Sequence, residues 1–183
     1  MSLRTIWIVD AAYVFSAAPG RVDYVKLKAE LEKLNGGGFY ESYYLNSAQE
    51  APTEAEQSFH TWLKLAPPHG PKMRVQLYKL KHLHVKCPQC GTPFERHVQK
   101  GVDVGIATLM IKLATQQCYD RLLLAAGDGD FADAISYVKS ELHKEIWLSG
   151  FTNTVSADLQ SYADQVLWID RFWQQVEKRE RGA

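Results

Sequence analysis

A surplus of charge of either sign is missing from this chain: 21 Lys and Arg offset 21 Asp and Glu, for a formal net charge of zero. A neutral total excludes overall basic character as a guide to nucleic-acid binding, so any polyanionic partner must be met by a local concentration of charge. Cysteine is scarce too. Cys87, Cys90 and Cys118 cannot build a disulfide framework, and a reduced cytosol is the natural setting. No apolar run is long enough to span a bilayer, and no secretory signal or transit peptide is read. The expectation is a cytoplasmic protein without a membrane partner. Internal repeats and low-complexity segments are also absent. What remains is 183 residues, 46% hydrophobic, enough for one domain over residues 1–183 with a proper core.

Strand-like and helix-like patterns alternate along that length. Thr5 to Asp10 is a continuous apolar β-type run. Val22 to Leu34 has helical apolar spacing and stops at Asn35-Gly36-Gly37-Gly38. Strands are expected at Phe39–Leu45, Arg74–Leu80, Arg121–Ala126, Glu145–Leu148 and Gln165–Ile169. Helices are expected from Pro52 to Leu65, Val102 to Thr115, Phe131 to Leu142 and Ala157 to Tyr162, with a polar helix ending the chain. Alternation at this spacing implies an α/β fold, a three-layer α/β/α sandwich around a mostly parallel sheet.

The chemistry sits where those elements change. Ala126-Gly127-Asp128-Gly129-Asp130-Phe131 follows the apolar run Leu122 to Ala125, so two carboxylates leave a buried strand together where open α/β sheets bind ligands. Acids this close repel unless a cation or a shared proton relieves them, and hard oxygen donors suit Mg²⁺ or Mn²⁺. The loop alone equally allows a tight turn in which Asp130 only caps the next helix. Asp10 ends the first strand in the same kind of position. Asp103 lies in the first turn of the helix opened by Lys100-Gly101-Val102, where the macrodipole also favours an acid.

Local positive charge is found between Lys72 and Lys100, where seven Lys and Arg face one acid, Glu95, with His82, His84 and His97 alongside. Leu83 to Val98 reads as a β-hairpin excursion, within an insertion at about 81–99, projecting near the site edge. Lys81, Lys86 and Arg96 are its candidate phosphate contacts; the alternative is a solvated face. Lys100 could neutralise a phosphate or be a solvated helix-start lysine. Cys87-Pro88-Gln89-Cys90-Gly91 is half of a zinc knuckle. It admits structural Zn²⁺ completed by histidines within one chain, zinc shared between two chains, which leaves a homodimer open, or no metal. Cys118, beyond a helix, is expected in the core.

Taken together, Ile8-Val9-Asp10, Lys100 to Val104, Ala126 to Phe131 and Ser156 to Asp164 resemble the NYN domains of the PIN-like nuclease superfamily, closest to their LabA-like branch. The resemblance implies a PIN-like sandwich, divalent-metal-dependent endoribonuclease activity, and a metal site of Asp10, Asp103, Asp128 and Asp130. RNA, mainly single-stranded or unpaired, is the implied partner. The family places an Asn three residues after the first Asp; Tyr13 stands there, which implies weaker polar support and slower catalysis. A catalytically weak PIN-like regulatory module, binding RNA or a protein, is the second expectation. Haloacid-dehalogenase phosphatases share a Gly-Asp-Gly loop but need a second acid two residues after the first, and Asp10 is followed by Ala11 and Ala12.

Overall fold

The computed structural model describes residues 3–49, 51–79, 81–86, 89–98 and 101–179. Its centre is β1 (Thr5–Asp10), buried at every position because a strand covered on both faces has no polar side to show. Around it lie β2 (Glu41–Ala48), β3 (Arg74–Lys79), β6 (Arg121–Ala125), β7 (Glu145–Gly150) and β8 (Gln165–Trp168). The sheet order is β3-β2-β1-β6-β7-β8, and every pairing is parallel. Parallel neighbours need crossovers, which the helices supply. The chain leaves β1 toward β2 and β3, then returns to β1's other side as β6 and continues outward. The switch point of the sheet is therefore the crevice between the C-terminal ends of β1 and β6.

Alternation along the strands divides the core into two layers. Ile6, Ile8, Leu122, Leu124, Ile146 and Leu148 face α4 (Val102–Thr115), α5 (Ala132–Ser140) and α6 (Ala157–Tyr162). In α4, Val102, Ile106, Met110 and Ala114 recur every fourth residue and make the buried stripe. Trp7, Val9, Leu123 and Ala125 face the other way. They meet α1 (Ala11–Ala17), α2 (Tyr24–Asn35), α3 (Glu54–Lys64) and the single turn α7 (Trp173–Val176). The ends of α2 follow their residues: Asp23 accepts from the N–H groups of Val25 and Lys26, and Gly36 closes the helix at φ 79°. No helix among the described residues is long and apolar enough to cross a membrane.

Several boundaries depart from the sequence reading. The short helix α1 was not expected, and it starts directly from Asp10. β2 begins two residues later and runs three further than expected. Phe39 is held back by its N–H donating to Glu32 Oε1 (3.0 Å), while pairing with β3 carries the strand on to Ala48. The 131–142 helix opens with a tight 3₁₀ turn, Gly129–Phe131. The expected terminal polar helix reduces to α7 within the described residues, after which Glu177 bridges back to Val22. Cys118 is half-buried, not part of the core, because it falls in the turn between α4 and β6.

The expected excursion is present as β4 (Lys81–Lys86) paired antiparallel with β5 (Pro93–Val98), a two-stranded sheet separate from the first. It is inserted between the end of β3 and the start of α4, and so leaves from the same sheet edge as Asp10.

The face assignment is testable. Leu124→Ala, in a fully buried inward position, should cost about 2–5 kcal/mol in urea unfolding. Leu77→Ala on edge strand β3, 43% exposed, should cost under about 1 kcal/mol. Equal losses would contradict the layering.

Candidate active site

Register sets Asp10 beside the acid loop. Val9 pairs with Ala125, so Asp10 ends its strand level with the start of the Gly127–Asp130 loop. Asp10 is 7% exposed, whereas Asp103, Asp128 and Asp130 are exposed at the crevice mouth. Two of the acids also serve the backbone. Asp10 Oδ1 accepts from the N–H groups of Ala12 (3.1 Å) and Tyr13 (3.3 Å), capping α1. Asp128 Oδ1 accepts from the N–H of Asp130 (3.0 Å). The turn reading of this loop was thus half right, with Asp128 and not Asp130 as the cap. Asp103 makes no cap. That end of α4 is formed by Gly101 at φ 105°, a backbone state that glycine adopts without strain.

The carboxylates sense one another. Burial raises the Asp10 pKa above the ordinary carboxylate range, and the charges of Asp103 and Asp128 add to it; its two backbone bonds work the other way. Asp103 is raised by burial and then by Asp128 and Asp130. None of the four forms an ion pair among the described residues. A fifth acid, not singled out from the sequence, lies beside the acid loop. Asp158, in the first turn of α6, brings Oδ2 to 3.7 Å from where a Gly129 Cβ would stand. In the sequence it lies within Ser156 to Asp164, the last segment of the family resemblance.

Hard oxygen donors of this kind fit Mg²⁺ or Mn²⁺ by chemistry. They do not form a ready-made cage: among the described residues, no three His, Cys, Asp or Glu side chains stand close enough to ligate one ion directly. Mg²⁺ tolerates this because it commonly keeps several waters and takes only one or two carboxylates. Cys90 is exposed, and its suggested zinc partner Cys87 lies outside the described residues. Lys100 lies outside them as well, as do the side chains of Lys81, Lys86, Arg96, His82, His84 and His97.

Tyr13 does something the sequence did not show. Its ring lies where a Cβ on Gly127 would come within 2.4 Å, and its hydroxyl 2.6 Å from where one on Gly150 would stand. The phenol accepts from the N–H of Phe151 (3.0 Å). Thr154 gives its own proton to the Phe151 carbonyl (2.8 Å), so Tyr13 donates to Thr154 Oγ1 (2.7 Å). Tyr13 therefore braces the ends of β6 and β7 beneath the acid loop.

That packing requires glycine at 127, where an added methyl would also meet the Thr154 carbonyl at 2.2 Å. Gly127→Ala should lose about 1–3 kcal/mol in chemical unfolding through overpacking; a neutral result would mean the brace is loose.

The raised pKa of Asp10 carries a sign. The unfolded chain releases this proton first, so ionisation penalises the fold above the ordinary carboxylate range. Asp10→Asn, which keeps a good N-cap, should unfold at a higher urea concentration than the wild type at neutral pH. The gain should disappear as pH falls below about 4. A gain independent of pH would refute the electrostatic cause.

Comparisons with known proteins bear on what this crevice belongs to. A crystal structure of VPA0982, a protein of unknown function from Vibrio parahaemolyticus, superposes with a TM-score of 0.69 at 20% identity, covering 92% of this chain and 93% of that one. At that identity the likeness speaks for the fold alone. Curated protein sequences offer no match. The family model described as NYN domain matches residues 4–170, a span that takes in every strand of the large sheet and all four aspartates. The chain belongs to the NYN domain family, whose members are generally nucleases that act on RNA with divalent metals.

Proposed function

We propose that this NYN domain is a divalent-metal-dependent endoribonuclease that hydrolyses phosphodiester bonds in single-stranded or unpaired RNA at Asp10, Asp103, Asp128 and Asp130. The observation that carries the reading is the electrostatic coupling of Asp10 to Asp103 and Asp128, and of Asp103 to Asp128 and Asp130, with none of them in an ion pair among the described residues. Four like charges at one crevice destabilise a fold that has no use for them.

Roles follow from depth. Asp10, buried and fixed by two backbone bonds, is the rigid member. Asp103, Asp128 and Asp130 are exposed, on the side from which a phosphate would arrive. These residues would hold one or two Mg²⁺ or Mn²⁺ ions, which supply charge stabilisation at the phosphate and a more acidic water. In hydrolysis, water oxygen bonds to phosphorus as the bond to the leaving sugar oxygen breaks, and that oxygen takes up a proton. Lys100, next to the turn that starts α4, is assigned to neutralise the scissile phosphate. Lys81, Lys86 and Arg96 of the hairpin are assigned to follow the RNA backbone without reading bases. Cytoplasmic placement belongs to the same reading.

One observation favours a second reading, a PIN-like regulatory module. Tyr13, at the position expected to hold Asn, spends its hydroxyl on Phe151 and Thr154 and offers no polar support to the acids.

Asp128→Asn separates the two. It should lower Mn²⁺-dependent cleavage of unstructured RNA at least about a hundredfold. Thermal stability should stay equal or rise, because one like charge is removed. Unchanged cleavage in the variant would reject the aspartate site. A wild-type protein that Mn²⁺ stabilises against heat but that cuts no RNA would support the regulatory module.

A further inference from the structure

On the face of the sheet away from α4, a cavity of about 690 Å³ opens between α1, α2, α3 and the C-terminal end of β2. Its walls include the rings of Tyr24, Tyr44, Phe59 and Trp62, together with His60. Phe59 and Trp62 lie stacked, with centroids 5.8 Å apart and planes 26° from parallel. Tyr24 and Tyr44 meet edge to face at 5.5 Å. At the rim stands Phe15, 89% exposed, an apolar ring held in water without a packing reason.

None of the four aspartates lines this cavity, but two of its wall residues connect to Asp10. Tyr44 pairs with Val9, the residue before Asp10. Phe15 sits on α1, whose cap is Asp10; five residues of helix place it about 7 Å further along the axis. The charge of Asp10 reaches the Tyr24 and Tyr44 phenols, both raised mainly by burial.

The polar groups narrow the occupant. Burial lowers the pKa of His60, so at neutral pH its ring offers both a donor and an acceptor. Asn46 lines the wall with an amide, whose oxygen accepts from the N–H of Ser47. Arg21 and Lys178 are exposed at the lining. The two acids there are engaged: Asp23 caps α2, and Glu56 closes a capping box with Thr53. An aromatic slot with a neutral donor–acceptor edge and cations beside it suits a flat, polar-edged ring carried on a phosphate chain.

We propose that the cavity receives one unpaired nucleobase of the RNA strand whose neighbouring phosphate lies at the acid cluster, with Phe15 as the outer stacking surface. The strand's identity rests on the ribonuclease reading; base capture is measured apart from cleavage.

The test uses the full chain in EDTA, so that no strand is cut. Octauridylate binding is followed by tryptophan fluorescence, with an abasic ribose-phosphate octamer as control. Wild type should bind octauridylate about ten- to a hundredfold more tightly than the abasic octamer, the range of one base–aromatic stack. Phe15→Ala, an exposed change checked by its melting temperature, should lose most of that factor for octauridylate and almost none for the abasic chain. Trp62→Phe should remove most of the fluorescence change. Equal wild-type affinity for the two octamers, or an unaltered Phe15→Ala variant, would overturn the proposal. Base-dependent binding without Mn²⁺-dependent cleavage would leave the pocket standing and remove the ribonuclease. Cleavage without base-dependent binding would do the reverse.

Discussion

Two neighbouring parallel strands, β1 and β6, carry the whole arrangement. Their register sets Asp10 beside the loop that bears Asp128 and Asp130, and the reversal of strand order between them leaves the crevice uncovered by a crossover. Because the side-chain period of a strand is two, a slip of one residue would turn Ile8 and Leu124 toward α2 and carry the acids out of line. The apolar layers on both faces forbid that slip. Hydrophobic burial, remote from any chemistry, is thus what aligns the carboxylates.

Alignment has an electrostatic cost that the fold absorbs locally. Asp10 is the most buried of the acids, and it is also tied to two backbone N–H groups that favour its charged form. Helix α1 and the acid support each other: the carboxylate satisfies amides that a helix start leaves open, and the helix dipole partly offsets the repulsion from Asp103 and Asp128. Close packing completes the edge. Tyr13, Gly127, Gly150 and Thr154 interlock where three strand ends meet, and only missing side chains make that fit possible. Tyr13, where the family resemblance implies an Asn, therefore supports the scaffold and not the acids.

The aromatic cavity lies on the opposite helical layer, and its wall strand β2 pairs with the β1 that ends in Asp10. Its walls come from three helices and one strand, with Asp10 and Tyr44 as the connection. Phosphate chemistry and base recognition would then fall on different surfaces, each suited to its task, charged at the sheet edge and apolar beneath α1 and α3.

Much of this could be read from the residues. The apolar runs Thr5 to Val9 and Leu122 to Ala125 declare buried parallel strands, and acids at their ends declare a crevice, because burial on both faces leaves no other place for charge. The Gly36 stop and the antiparallel Lys81–Val98 hairpin were legible for the same local reasons. Other features were not. The sequence is silent about α1, whose seven residues are too few to show a period, and about the later start of β2, which a hydrogen bond from α2 decides. Asp158 beside Gly129, the seat of Tyr13 and the cavity under α3 depend on contacts between residues far apart in the chain. Local pattern determined the elements and where acids end the strands, since propensity and burial act over a few residues. Only tertiary packing decided which of these groups touch, because that depends on the register of distant strands and the volume left between helices.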